Sequence, residues 1–272
     1  MLIMRVTGSL ASVALTALVL PSHALAQHPV PGPLVTDRPD QTESASIVPR
    51  GLVQIEAGWA LDHTAERSHS IRTHSVPGVL VRAGITDRFE ARFGFAGWQA
   101  ADTAGARGAA SALGDTEVGV KALLRDAESG GPTIALIAHV TLPTGSGEAT
   151  TGRPDPSVLI TIAHGLSENV SLGWNAGPAW ATAGTPGARE TLLGMVGTAS
   201  LGFGLTDRWS AFVEVFGVAA TSDAGDSVGS VDGGVTLRLS DNLQFDSSLG
   251  LGVVGPAPDW SIASGVSIRL PR

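Results

Sequence analysis

The 272-residue chain has no Cys, 35 Gly, a formal charge of −8 and a single Lys, Lys121, beside sixteen Arg. This excludes disulfide frameworks and thiolate metal sites, and an acidic chain with so few clustered cations is a poor partner for nucleic acid, whose phosphates need such clusters. Apolar residues make up 43% of the sequence, yet beyond residue 26 no apolar run approaches the roughly 18 residues of a spanning helix, so any passage through a membrane must use strands.

Met1–Ala26 has one positive charge, Arg5, then a small and apolar run from Leu10 to Leu20, Pro21, and the closing triplet Ala24-Leu25-Ala26. That is the layout of a signal peptide with an A-x-A cleavage site. Cleavage after Ala26 is expected to leave 246 residues (272 minus 26) with a formal charge of −9, because only Arg5 is lost. Residues 27–50 form a lead-in in which Pro29, Pro31, Pro33, Pro39 and Pro49 forbid regular strand or helix. Its polar middle, Thr36–Ser44, carries Asp37, Arg38, Asp40 and Glu43. Such a stretch is either a solvated tail or a plug that tucks into a polar lumen and narrows it.

From Gly51 to the C-terminus the sequence alternates with the period of strands. Val53, Ile55, Ala57, Trp59 and Leu61 share one face while Gln54, Glu56 and Gly58 share the other; Thr116, Val118, Val120, Ala122 and Leu124 oppose Asp115, Glu117, Lys121 and Arg125. Twelve strands are expected, near 51–61, 73–85, 88–98, 114–125, 132–142, 156–165, 169–180, 190–205, 208–219, 229–239, 242–252 and 259–270. A short phrase recurs between them: Gly84-Ile85-Thr86-Asp87-Arg88-Phe89, Gly165-Leu166-Ser167-Glu168-Asn169-Val170, Gly204-Leu205-Thr206-Asp207-Arg208-Trp209, and the variant Leu239-Ser240-Asp241-Asn242-Leu243. Each places a hydroxyl and then an acid or amide where they can bond the local backbone and reverse the chain.

The connections alternate. Short ones are expected at 86–87, 126–131, 166–168, 206–207 and 240–241, and long ones at 62–72, 99–113, 143–155, 181–189, 220–228 and 253–258. Short turns on one rim and long loops on the other define an up-and-down antiparallel transmembrane β-barrel, all-β, with periplasmic turns and extracellular loops. Phe89 and Trp209 follow short turns, whereas Trp59, Trp98, Trp180 and Trp260 adjoin long loops, as two interfacial aromatic belts would require. The lipid of the outer membrane and its insertion machinery are then partners.

The inward faces collect too much polarity for a dry core: Glu56, Arg82, Glu90, Arg92, Asp115, Glu117, Lys121, Arg125, His139, Glu214, Asp232, Arg238, Asp246 and Arg269. Burying them between two sheets would be costly, while around a wet lumen acid and base can pair. They read either as a lining that sets selectivity, with Asp37–Ser44 as its gate, or as a self-paired interior. No catalytic residue, cofactor or metal is expected. His63, His69 and His74 match no compact ligand motif in their spacing, and His164-Gly165-Leu166-Ser167 and His139-Val140-Thr141 are only echoes of a barrel phospholipase.

Three stretches carry a family resemblance: Thr36-Asp37-Arg38-Pro39-Asp40-Gln41-Thr42-Glu43-Ser44 with Val48–Glu56, then Leu113-Gly114-Asp115-Thr116-Glu117-Val118-Gly119-Val120-Lys121, then Val140-Thr141-Leu142-Pro143-Thr144-Gly145. They resemble the outer-membrane family named for the meta-pathway of phenol degradation. The resemblance runs from about Thr36 to the C-terminus. It implies an outer-membrane barrel and a part in passive uptake of small solutes, aromatic or otherwise hydrophobic, the alternative being a structural or surface barrel that transports nothing. The chain departs from the usual aromatic ending of such barrels, closing on Ile268-Arg269-Leu270-Pro271-Arg272.

Overall fold

The repeated turn works through its hydroxyl. In the computed structural model, Thr86 Oγ1 accepts the N–H groups of Arg88 (3.2 Å) and Phe89 (3.0 Å). Thr206 Oγ1 accepts those of Arg208 (3.2 Å) and Trp209 (3.0 Å). Ser167 and Ser240 receive Asn169 N–H (3.4 Å) and Asn242 N–H (3.2 Å) in the same way. Backbone pairs from Ile85 to Phe89 (2.9 Å), Leu166 to Val170 (2.8 Å) and Leu205 to Trp209 (2.9 Å) close three of the turns.

The structure describes residues 32–65, 69–104, 110–127, 131–184, 188–222 and 224–271; the expected signal peptide, its cleavage site and the first residues of the lead-in lie outside them. The strand segments are β1 (Leu52–Ala65), β2 (Ser70–Gly84), β3 (Phe89–Phe95), β4 (Trp98–Thr103), β5 (Ala110–Leu113), β6 (Thr116–Arg125), β7 (Thr133–Leu142), β8 (Asp155–Gly165), β9 (Val170–Ala183), β10 (Glu190–Gly204), β11 (Trp209–Ala220), β12 (Val228–Ser240), β13 (Leu243–Val254) and β14 (Trp260–Pro271).

These segments make the twelve expected strands, because β3 with β4 and β5 with β6 are halves of single strands. One partner, β2, pairs with both β3 and β4, and those pair in turn with β6 and β5. The two breaks lie side by side and are bridged by Ala96 N–H to Asp115 C=O (3.0 Å) and Gly114 N–H to Gly97 C=O (2.8 Å). Glycine is needed at 97, where φ is +82° and a Cβ would stand 2.5 Å from the Pro77 carbonyl.

All pairings are antiparallel, and β1 pairs with β14 on one side and β2 on the other, so the sheet closes. Closure removes the edges an open sheet would expose and pairs the backbone internally, which hydrocarbon demands. Several connections are shorter than expected. β1 continues to Ala65 and pairs His63 with Arg72 and Thr64 with Ile71; β9 reaches Ala183 and β13 reaches Val254. These added residues lengthen the hairpins at the rim opposite the short turns. Residues 143–154, with a short 3-10 turn at Gly147–Ala149, keep their loop character.

The wall is inverted relative to a soluble barrel. On β11, Phe212 and Glu214 are buried while Val213 and Val215 are more than half exposed, and on β13 Gln244 and Asp246 are buried while Phe245 and Leu249 are exposed. Apolar side chains therefore face outward, and much of the buried interior is polar or charged. Phe89 and Trp209 are exposed at the turn rim, and Trp98 and Trp180 toward the opposite rim. At that rim the ring of His63 stacks on Trp260 with centroids 4.9 Å apart, and Trp59 Nε1–H donates to His74 Nδ1 at 3.2 Å. These two histidines belong to the aromatic rim.

Candidate functional site

The lumen is organised by a charge imbalance on one wall. Strand register sets Arg82 of β2 directly opposite Arg92 of β3, a like-charge pair that is unfavourable on its own. Lys121 of β6 stands across from Glu90. Glu56 and Glu90 supply two negative charges against the three cations Arg82, Arg92 and Lys121, all five almost completely buried.

The missing charge comes from the lead-in. Asp37 Oδ2 lies 2.7 Å from Arg92 Nη1, 3.1 Å from Lys121 Nζ and 3.4 Å from Arg82 Nη1. Burial alone would raise the Asp37 carboxyl, but Arg82, Lys121 and Arg92 together hold it well below the ordinary carboxylate range. Arg82 also bonds Glu56 (3.0 Å) and Glu90 (2.9 Å) and donates to the lead-in carbonyls of Val35 (3.1 Å) and Ser46 (3.0 Å). Glu43 sits on Arg92 as a surplus acid, and burial pushes its carboxyl up to about 7 despite that neighbour.

The segment then crosses to the far wall. Gln41 N–H donates to Glu214 (2.7 Å), the Thr42 hydroxyl donates to Glu214 and lies 2.8 Å from Thr198 Oγ1, and Asn175 brackets Glu43 by accepting its N–H (2.7 Å) and donating to its C=O (3.0 Å). Arg38 pairs with Asp246 at 3.0 Å. At the ends, Arg269 donates to Gly32 C=O (2.7 Å) and Val48 N–H to Glu90 (2.7 Å). The chain passes Gly84 so closely that a Cβ there would stand 2.2 Å from the Pro49 carbonyl.

Residues 32–49 thus lie inside the barrel and span it from β2, β3 and β6 to β9, β10 and β11. Of the neutral partners on the wall, Gln54 and Thr198 already fall on inward faces of the alternation, and Asn175 and Gln244 could have been found there as polar residues, a signal weaker than charge.

Other charged candidates sit elsewhere. Arg125 is exposed at the end of β6, and Arg238 donates to the Asp207 carbonyl in the adjoining turn, so both stand at the turn rim. Asp232 is in register with Glu214. Asp115 accepts the N–H groups of Gly145 and Thr151 and the Thr151 hydroxyl, each at 2.8 Å, so it fastens the 143–154 loop to the wall. Asp115→Ala leaves those donors unmatched, at about 1–3 kcal/mol for a lost buried acceptor; proteolysis within 143–153 is expected to become at least several-fold faster while the rest of the barrel stays resistant.

Glu117 lies 3.3 Å from His139 Nδ1, and His139 Nε2 meets the Ser157 hydroxyl across the β7–β8 register.

A closed, outward-apolar barrel with a charged lumen defines an outer-membrane-type β-barrel. The chain belongs to the family described as "Putative MetA-pathway of phenol degradation", whose sequence profile matches residues 36–270. No curated protein matches it in sequence. Among solved structures it is similar to the NanC porin (9% identity, TM-score 0.51, covering 80% of this chain and 100% of that one). It is also similar to the KdgM porin in complex with disordered oligogalacturonate (10%, 0.51, 79% and 98%) and to the translocator domain of the autotransporter NalP from Neisseria meningitidis (14%, 0.50, 80% and 88%). These likenesses define the fold.

Proposed function

We propose that the protein is a passive outer-membrane channel for small solutes, including aromatic or hydrophobic compounds, with the lead-in as its partial plug and no enzymatic activity. In this reading the precursor is exported by the signal peptide, cleaved after Ala26 and inserted by the outer-membrane machinery, with both termini periplasmic. Family membership and the porin fold support the class. The observation that carries the gating part is the lead-in held across the lumen by Asp37, Arg38 and Glu43, with Asp40 beside Glu214, against Glu56, Arg82, Glu90, Arg92, Lys121, Glu214 and Asp246. Glu117, Asp232 and Arg269 complete a polar lining.

Planar-bilayer conductance of the refolded mature chain tests it. The intact protein is expected to give a small, steady conductance, and deletion of Pro29–Ser44 to raise it several-fold, as removing a segment that fills the bore should. A barrel that stays closed after the deletion would contradict the plug.

A further inference from the structure

The lead-in does not fill the bore evenly. It is clamped to the charged wall, and on the opposite side, between it and the ends of β8–β12 near the 166–169 turn, a cavity of about 580 Å³ remains. That lies within the roughly 300–1,000 Å³ of small-molecule sites.

Its barrel side is made of small and hydroxyl-bearing residues: Ser171, Ser200, Gly202, Gly204, Ser210 and the ring of Phe212. Charge at its inner border is committed, Arg38 being paired with Asp246 and Glu43 with Arg92; the exposed Glu168 stands at its mouth on the 166–169 turn. Burial and the adjoining Glu214 push the Asp40 carboxyl well above its ordinary range, toward the protonated form. An ion entering here would lose water without gaining a free counter-charge, whereas a hydroxyl compound meets donors and acceptors beside apolar surface.

We infer that this cavity is the solute-binding vestibule of the bore and that it takes small uncharged molecules bearing hydroxyl groups on a partly apolar frame. The inference rests on the channel reading above. It reverses the intuition that the conspicuous charges select the solute: Arg82, Arg92 and Lys121 hold the lead-in, and the glycine- and serine-lined wall forms the path.

The glycines give the test. A Cβ at Gly204 meets nothing nearer than 3.5 Å, and one at Gly202 meets only the Ser171 hydroxyl at 2.7 Å, so larger side chains there project into the cavity. The full mature chain is reconstituted in liposomes, and swelling is followed with methyl β-D-xyloside, xylonate and glucosamine as uncharged, anionic and cationic probes of similar size. The xyloside is expected to enter at least about fivefold faster than either ion, and G202L/G204L to slow it about tenfold.

G197L, on the outward face where a Cβ meets nothing within 4 Å, is expected to leave the rate unchanged. Heat-modifiable electrophoretic mobility reports folding of each variant; should G202L/G204L fail to fold, S171L fills the same space from the neighbouring strand. Equal entry of the ions, or an unchanged xyloside rate in a folded cavity-filling variant, overturns the vestibule while the channel stands. A wild-type barrel that admits none of the three probes overturns both.

Discussion

Arg82→Met is expected to lower the temperature at which the barrel loses its heat-modifiable mobility more than any other single substitution in the lumen. The guanidinium is fully buried and serves Glu56, Glu90, Asp37 and two lead-in carbonyls. Met matches its bulk but leaves three carboxylates to two cations, and breaking a buried ion pair by removing one partner costs about 3–5 kcal/mol. Much of that cost is uncompensated charge rather than lost contact, so Asp37→Asn added to Arg82→Met, which restores two against two, is expected to recover part of the loss. Such non-additivity is the signature of one coupled network. Strict additivity in thermal midpoints would show that the groups act separately.

Asp37→Asn alone is expected to undock the lead-in while the barrel remains folded. The side chain joins three cations at once, and its loss leaves them in excess, again about 3–5 kcal/mol, or roughly 10²- to 10⁴-fold in the docked-to-undocked ratio. Single-channel conductance should rise toward that of the deletion, and a protease should cut near residues 32–49. Glu43→Gln provides the contrast. A carboxyl raised to about 7 by burial is only about half ionised at neutral pH, so Glu43→Gln gives up less charge than Asp37→Asn and its conductance should rise less.

The acid response follows from the depressed Asp37 value. A carboxyl held low in the docked state stabilises docking fully above its ordinary pKa of about 4 and loses that contribution as pH falls further. Conductance should therefore increase below about pH 4, and Asp37→Asn should abolish that step.

Much of the barrel was legible because alternation and the repeated turn are local signals. Thr86, Ser167, Thr206 and Ser240 announce their hairpins regardless of what lies across the lumen. The broken strands were not legible: the pause at Ala96-Gly97 depends on the Pro77 carbonyl of a neighbouring strand, information that no single segment holds. Loop lengths were overestimated at 62–72 for a related reason, since His63 and Thr64 are strand residues through pairing with Arg72 and Ile71, and His63 with Trp260, on other strands.

For the site, the sequence singled out Asp37, Arg38, Asp40 and Glu43 as either a solvated tail or a plug, together with most of the inward charges, but it could not pair them. That Arg82 and Arg92 fall in register, and so need an acid from elsewhere, appears only once the strands are aligned. Likewise Asp115, grouped in the sequence with Glu117 and Lys121, turns out to fasten the 143–154 loop, because the break before β6 directs it there.

The lead-in's passage across the bore can be measured directly because the chain has no Cys of its own. Thr42 and Thr198 bring their hydroxyls to 2.8 Å, close enough for paired cysteines to meet disulfide geometry. In the mature T42C/T198C protein, oxidation is expected to form the cross-link in most molecules and to hold conductance at the low wild-type level. Reduction should leave that level unchanged at neutral pH but restore the acid-induced rise. Two free thiols that react fully with maleimide and resist oxidation would contradict a lead-in held across the barrel.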